Sequence, residues 1–128
     1  MAEMSDYLEN KILDYVLRNT ADWAPTAVYL ALHTGDPTDV TSAGLANEVD
    51  VTRQAIEFDA AHATTGLTQN TDIETFTSMP AATVTHIGIW DAASSGNLLF
   101  HTAVGSSKTV GSGDTISIAA GAVTITLA

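Results

Sequence analysis

The stretch from Thr83 to Val104, TVTHIGIWDAASSGNLLFHTAV, constrains what this chain can fold into more than any other. Two apolar arms, Thr83–Trp90 and Asn97–Val104, flank the turn-forming run from Asp91 to Gly96. Val84, Ile87, Ile89 and Trp90 crowd the first arm, and Leu98, Leu99, Phe100 and Val104 the second. β-branched and aromatic residues fit a pleated, half-buried surface, and the Asp/Ser/Gly linker has hairpin chemistry. A β-hairpin at the structural centre is therefore expected.

Shorter segments of the same kind surround it. Thr26–Leu32 alternates with Val28, Leu30 and Leu32 on one face, and Thr52–Phe58 turns Ile56 and Phe58 inward. Thr71–Phe76 reads as a short strand with Ile73 inside. Asp114–Ile118 and Ala122–Leu127 read as two closing strands hinged at Ala119–Gly121. Val40–Val51 and Asp59–Gln69 are small and polar and read as irregular, as does the Gly105–Gly113 turn region. One segment differs: in residues 5–19, Leu8, Ile12, Tyr15 and Val16 recur at helical spacing and Leu13 and Leu17 widen the stripe. Ser5 is placed to cap that helix, Asn19 to close it, and Trp23 to plug its joint with the sheet. The expected fold is mainly β, a single domain over 1–128. An N-terminal amphipathic helix (5–19) precedes a sandwich or barrel of about seven or eight short antiparallel strands (26–128).

Composition narrows the function classes. The chain has 128 residues and a net charge of −11, with only Lys11, Arg18, Arg53 and Lys108 as bases, so no basic patch for nucleic acid can assemble. Residues 1–60 carry eleven carboxylates and three bases (net −8), whereas 61–128 carry four and one (net −3), so the charged face lies in the first half. Cysteine is absent, excluding disulfides and thiolate chemistry. No apolar run approaches the roughly 20 residues of a membrane helix, and the acidic N-terminus is unlike a signal peptide, so a soluble protein made in the cytoplasm is expected.

Catalytic motifs are missing. His86 and His101 would start a metal site if the hairpin arms set them opposite, but no third ligand has fixed spacing, and outward polar strand positions are the simpler reading. Asp36 and Asp39 flank a turn rather than a dense calcium loop. The pairs Glu57/Asp59 and Asp72/Glu74 lack a companion aromatic groove. A non-enzyme without cofactor or metal is expected. The candidate contact residues are Leu8, Ile12, Tyr15 and Val16 on the helix, as a subunit interface, and Asp36, Asp39, Glu48 and Asp50 in the acidic loops.

Two blocks, YLENKILDYVLRNT with TAVYLALHTGDPTD, and THIGIWDAASSGNLLFHTAV with SKTVGSGDTISIAAGAVTITLA, resemble a family of small tailed-bacteriophage structural proteins often labelled tail-fibre proteins. The chain departs from them at Asn47–Thr52, where relatives place a Gly-rich, Tyr-containing segment before the Arg-Gln of the second strand. The resemblance implies a virion component in one of two placements. The preferred one is a capsid decoration (cement) protein on the head exterior, a homotrimer contacting itself and the major capsid protein, with no nucleic-acid or membrane partner. The alternative is a tail-fibre or baseplate adaptor contacting tail proteins. A third reading is a carbohydrate-binding β-sandwich for host attachment, stacking sugars on Trp23, Trp90 or Tyr29.

Overall fold

A computed structural model describes residues 2–20 and 24–127. Trp23, expected to plug the joint behind the helix, lies outside the described residues. A two-residue strand β1 (Glu3–Met4) leads into helix α1 (Asp6–Leu17), then β2 (Val28–His33), helix α2 (Thr41–Asn47) and β3 (Gln54–Ile56). β4 (Leu67–Gln69), β5 (Glu74–Phe76), β6 (Ala82–Trp90), β7 (Leu98–Val110), β8 (Ile116–Ile118) and β9 (Thr124–Thr126) follow. Among the described residues the fold is mainly β behind an N-terminal helix, in open antiparallel sheets with no closed barrel. One five-stranded sheet has the order β1-β7-β6-β2-β3, and β4–β9 and β5–β8 form two-stranded ribbons.

The hairpin is central. β6 pairs with both β2 and β7, which puts it in the middle of the large sheet. Its turn is closed by Asp91, whose carboxylate accepts from the Asn97 backbone N–H at 2.7 Å and from Asn97 Nδ2 at 2.9 Å. Gly96 takes a left-handed φ of 71°, and a Cβ there would stand 2.5 Å from Asp91 Oδ1, so the turn requires glycine. β7 outruns the expected arm: Gly105–Val110 stays extended and Thr109 and Val110 pair with Thr83 and Ala82. The Thr83 and Thr109 hydroxyls lie 3.0 Å apart across the strands, a threonine pair that favours continued pairing over a turn.

α1 starts where Ser5 predicts. The Ser5 hydroxyl accepts from the Leu8 N–H at 3.3 Å and donates to the Leu98 carbonyl, joining helix cap to β7. Asn19, at a φ of 55°, ends it.

Three further expectations need correction. Val40–Val51 is not irregular: α2 occupies most of it, and Val49 is buried behind a bridge between His33 and Glu48. Ile73 does not face in but is 61% exposed, because Phe76 is fully buried and strand alternation then sends Glu74 inward and Ile73 out. Asp59–Gln69 is not irregular throughout, because β4 lies in it and pairs with β9, while β8 joins β5. The condition for a metal site on His86 and His101 is not met, since His86 opposes Ala103 and His101 opposes Gly88.

Alternation divides the large sheet into two chemically different faces. One carries Leu30, Leu32, Ile87 and Ile89 into an aliphatic core shared with Phe76, Met79, Val123 and Ile125. The other carries Ala31, His33, Gly88, Trp90 and His101, of which Ala31 and Trp90 form a second small cluster with Leu98. α2 lies against this second face, its Gly44 meeting the Trp90 ring.

Candidate functional site

The second face is held by a polar network centred on Arg53. Its guanidinium forms a two-point ion pair with Glu48, Nε to Oε2 at 2.6 Å and Nη2 to Oε1 at 2.8 Å. Nη1 donates to the carbonyls of Ala92 at 2.8 Å and Ser95 at 2.9 Å, tying the β6–β7 turn to the segment before β3. The guanidinium also lies 4.2 Å from the Trp90 ring centroid, a cation–π contact in a desolvated place. Beneath it, Trp90 Nε1 donates to His33 Nε2 at 3.4 Å, which assigns the His33 proton to Nδ1, 2.9 Å from Asn47 Oδ1. Asn47 Nδ2 donates in turn to the Asp36 carbonyl at 2.9 Å, fixing the amide orientation. Burial lowers the His33 pKa, outweighing the opposing bond to Asn47, so the ring sits neutral in its tautomer. Gly88 makes room, since a Cβ there would lie 2.7 Å from His33 Nε2 and 3.0 Å from Trp90 Nε1.

Trp90 is 0% exposed, so no sugar can stack on it. His101 is buried too, rather than outward-facing. Its Nε2 lies 3.0 Å from Asp39 Oδ1 and its Nδ1 3.5 Å from Asp36 Oδ1. Glu3, directly opposite on β1, completes a set of metal-capable ligands with His101 and Asp39.

The expected contact residues separate. On α1, Leu8 is buried and Ile12 packs half-buried against the aliphatic core, while Tyr15 and Val16 are exposed. Leu13 and Leu17 join them, with Val16 at 67% and Leu17 at 75% exposure, so the apolar stripe is covered at its first turns and bare at its last. In the loops, Asp50 is exposed, Asp36 and Asp39 are half-exposed toward His101, and Glu48 is engaged by Arg53. Arg53, His33, Asn47 and Glu3 escaped sequence reading. Arg53 offered one signal: a lone base within a strongly acidic segment.

Every buried side-chain nitrogen and oxygen among the described residues has a hydrogen-bond partner. The exposed large apolar side chains include Leu13, Tyr15, Val16 and Leu17 at the end of α1, with Val40, Leu45, Ile73 and Leu127 elsewhere on the surface. The family described as podophage GP4 fiber I protein gp80 matches residues 3–126, and the chain belongs to it. It is a bacteriophage virion structural protein. No curated protein matches the chain.

Proposed function

We propose that this protein is a structural component of the phage tail-fibre apparatus, acting through protein–protein contact rather than catalysis. The observation that carries this reading is a fibre-family match across nearly the entire chain. The fibre name of that family favours the tail placement over the head decoration preferred on the sequence resemblance. In this role Leu13, Val16 and Leu17, flanked by Tyr15, bury against neighbouring copies in a homotrimer, and the acidic loops face other tail proteins.

Immunogold labelling of purified virions tests the placement. Label at the tail is expected; label over the head would overturn it and restore decoration. Val16→Asp with Leu17→Asp tests the contact face. Both sites are exposed, so each change costs the fold of the single chain no more than about 0.5 kcal/mol, but the variant loses trimer mass by light scattering and fails to enter virions. Leu8→Asp, by contrast, buries a charge and unfolds the domain, a cost of several kcal/mol.

A further inference from the structure

We propose that Glu3, Asp39 and His101 form a binding site for a divalent first-row metal ion of the zinc class. Their ligand atoms lie within 4.8 Å of one another, although they come from β1, the β2–α2 loop and β7. Two backbone features bring the segments together: Glu3 is the cross-strand partner of His101, and the Asp6 N–H donates to the Asp39 carbonyl at 3.1 Å. His101 is only 5% exposed, so its ring is fixed by packing while the two carboxylates stay free to adjust.

The second nitrogen of His101 adds an independent argument. Nδ1 faces the Asp36 carboxylate at 3.5 Å, while Nε2 faces Asp39. A carboxylate behind a ligating imidazole holds the proton on the far nitrogen and presents the near lone pair to the metal. Nε2 is the near nitrogen here. An imidazole with two carboxylate oxygens suits Zn²⁺, with water completing the coordination. Bond lengths of about 2.0–2.2 Å place tetrahedral ligands roughly 3.4 Å apart, so the widest pair of a set lying within 4.8 Å closes by no more than about 1.4 Å.

Charge favours the same conclusion. Three carboxylates converge on one imidazole, while the arginine ion pairs among the described residues are made elsewhere, Arg18 with Asp14 and Arg53 with Glu48. A divalent cation neutralises this local excess and staples β1 and the loop to β7, fixing the root of α1. The proposal is independent of where in the virion the protein sits.

The test is calorimetric titration of the EDTA-treated full chain with Zn²⁺, together with melting curves. Saturable binding of one ion per chain and a melting temperature raised by Zn²⁺ and restored by EDTA are expected. Asp39→Asn and Glu3→Gln alter exposed side chains and retain the fold, and each weakens binding at least about tenfold. Asp50→Asn, an exposed acid elsewhere, leaves it unchanged. Absence of saturable binding would overturn the proposal. So would equal binding by all variants, which would mean diffuse association with an acidic surface.

Discussion

The two faces of the large sheet reach the same degree of burial by opposite means. The aliphatic face excludes water with Leu30, Leu32, Ile87 and Ile89, and its energy is roughly 1.5–3 kcal/mol per fully buried side chain. The other face buries Trp90, His33 and most of Arg53, and must satisfy every donor and acceptor it removes from water. Non-directional burial tolerates repacking, whereas a hydrogen-bonded network has one arrangement. That contrast explains why α2 and the β6–β7 turn are fastened to the second face: their positions follow from bonds to Arg53 and Asn47, not from apolar area.

The largest effect should therefore come from the network. Arg53→Ala removes the Glu48 ion pair, both carbonyl bonds and the lid over Trp90, and leaves Glu48 without its cation. A loss of about 3–5 kcal/mol is expected in denaturant unfolding. Arg53→Lys should recover little of it, because a point charge cannot make the two-point bond and the carbonyl bonds together. A lysine variant near wild-type stability would break the distinction between the faces.

Gly44→Ala is a sharper test at smaller scale. In an ordinary helix the exchange gains about 1 kcal/mol. Here the added Cβ would stand 2.9 Å from Trp90 Cζ2, against a ring that is fully buried. Overpacking outweighs propensity, and a net loss of about 1–2 kcal/mol is expected by thermal melting. A gain would show that α2 rests loosely on the second face.

How legible each face was in the sequence follows from the same contrast. The aliphatic face announces itself through alternation, so the central hairpin, Leu30, Leu32 and Ile56 were readable, as were the Ser5 cap and the Asn19 stop. The network face carries no period. Arg53 and Glu48 are five residues apart on no common element, and Arg53 meets Ala92 and Ser95 across about forty residues of chain. Long-range pairings such as Glu3 opposite His101 depend on strand order, which spacing does not encode. Short strands also suffer: with three residues in β5, one choice of parity decides whether Ile73 or Glu74 is buried, and hydrophobicity at Ile73 points the wrong way because Phe76 dominates.

Titration separates the faces again, with opposite signs. The His33 pKa is lowered, chiefly by burial, with the nearby Arg53 charge acting in the same direction and Glu48 and Asn47 opposing. The unfolded chain then binds a proton that the folded network refuses, so stability falls as pH drops below about 6.5 toward the folded value. Melting curves of wild type and His33→Gln between pH 7.5 and 5 should converge as the solution is acidified.

Glu74 runs the other way and gives the smallest effect. Strand parity sends its carboxyl inward beside Phe76, and burial raises its pKa, with Asp72 and Glu57 adding repulsion. The folded state then favours the neutral acid, so the charged form costs stability at pH values above the folded pKa and costs nothing below the unfolded value near 4.5. Glu74→Gln keeps the shape without the charge. It should raise the melting temperature slightly at pH 7, with the advantage shrinking as pH falls toward 4.5. An advantage independent of pH would mean that packing, not charge, limits β5. A loss at pH 7 would mean that the carboxylate is stabilised in place, and that the aliphatic face tolerates an ion better than its composition implies.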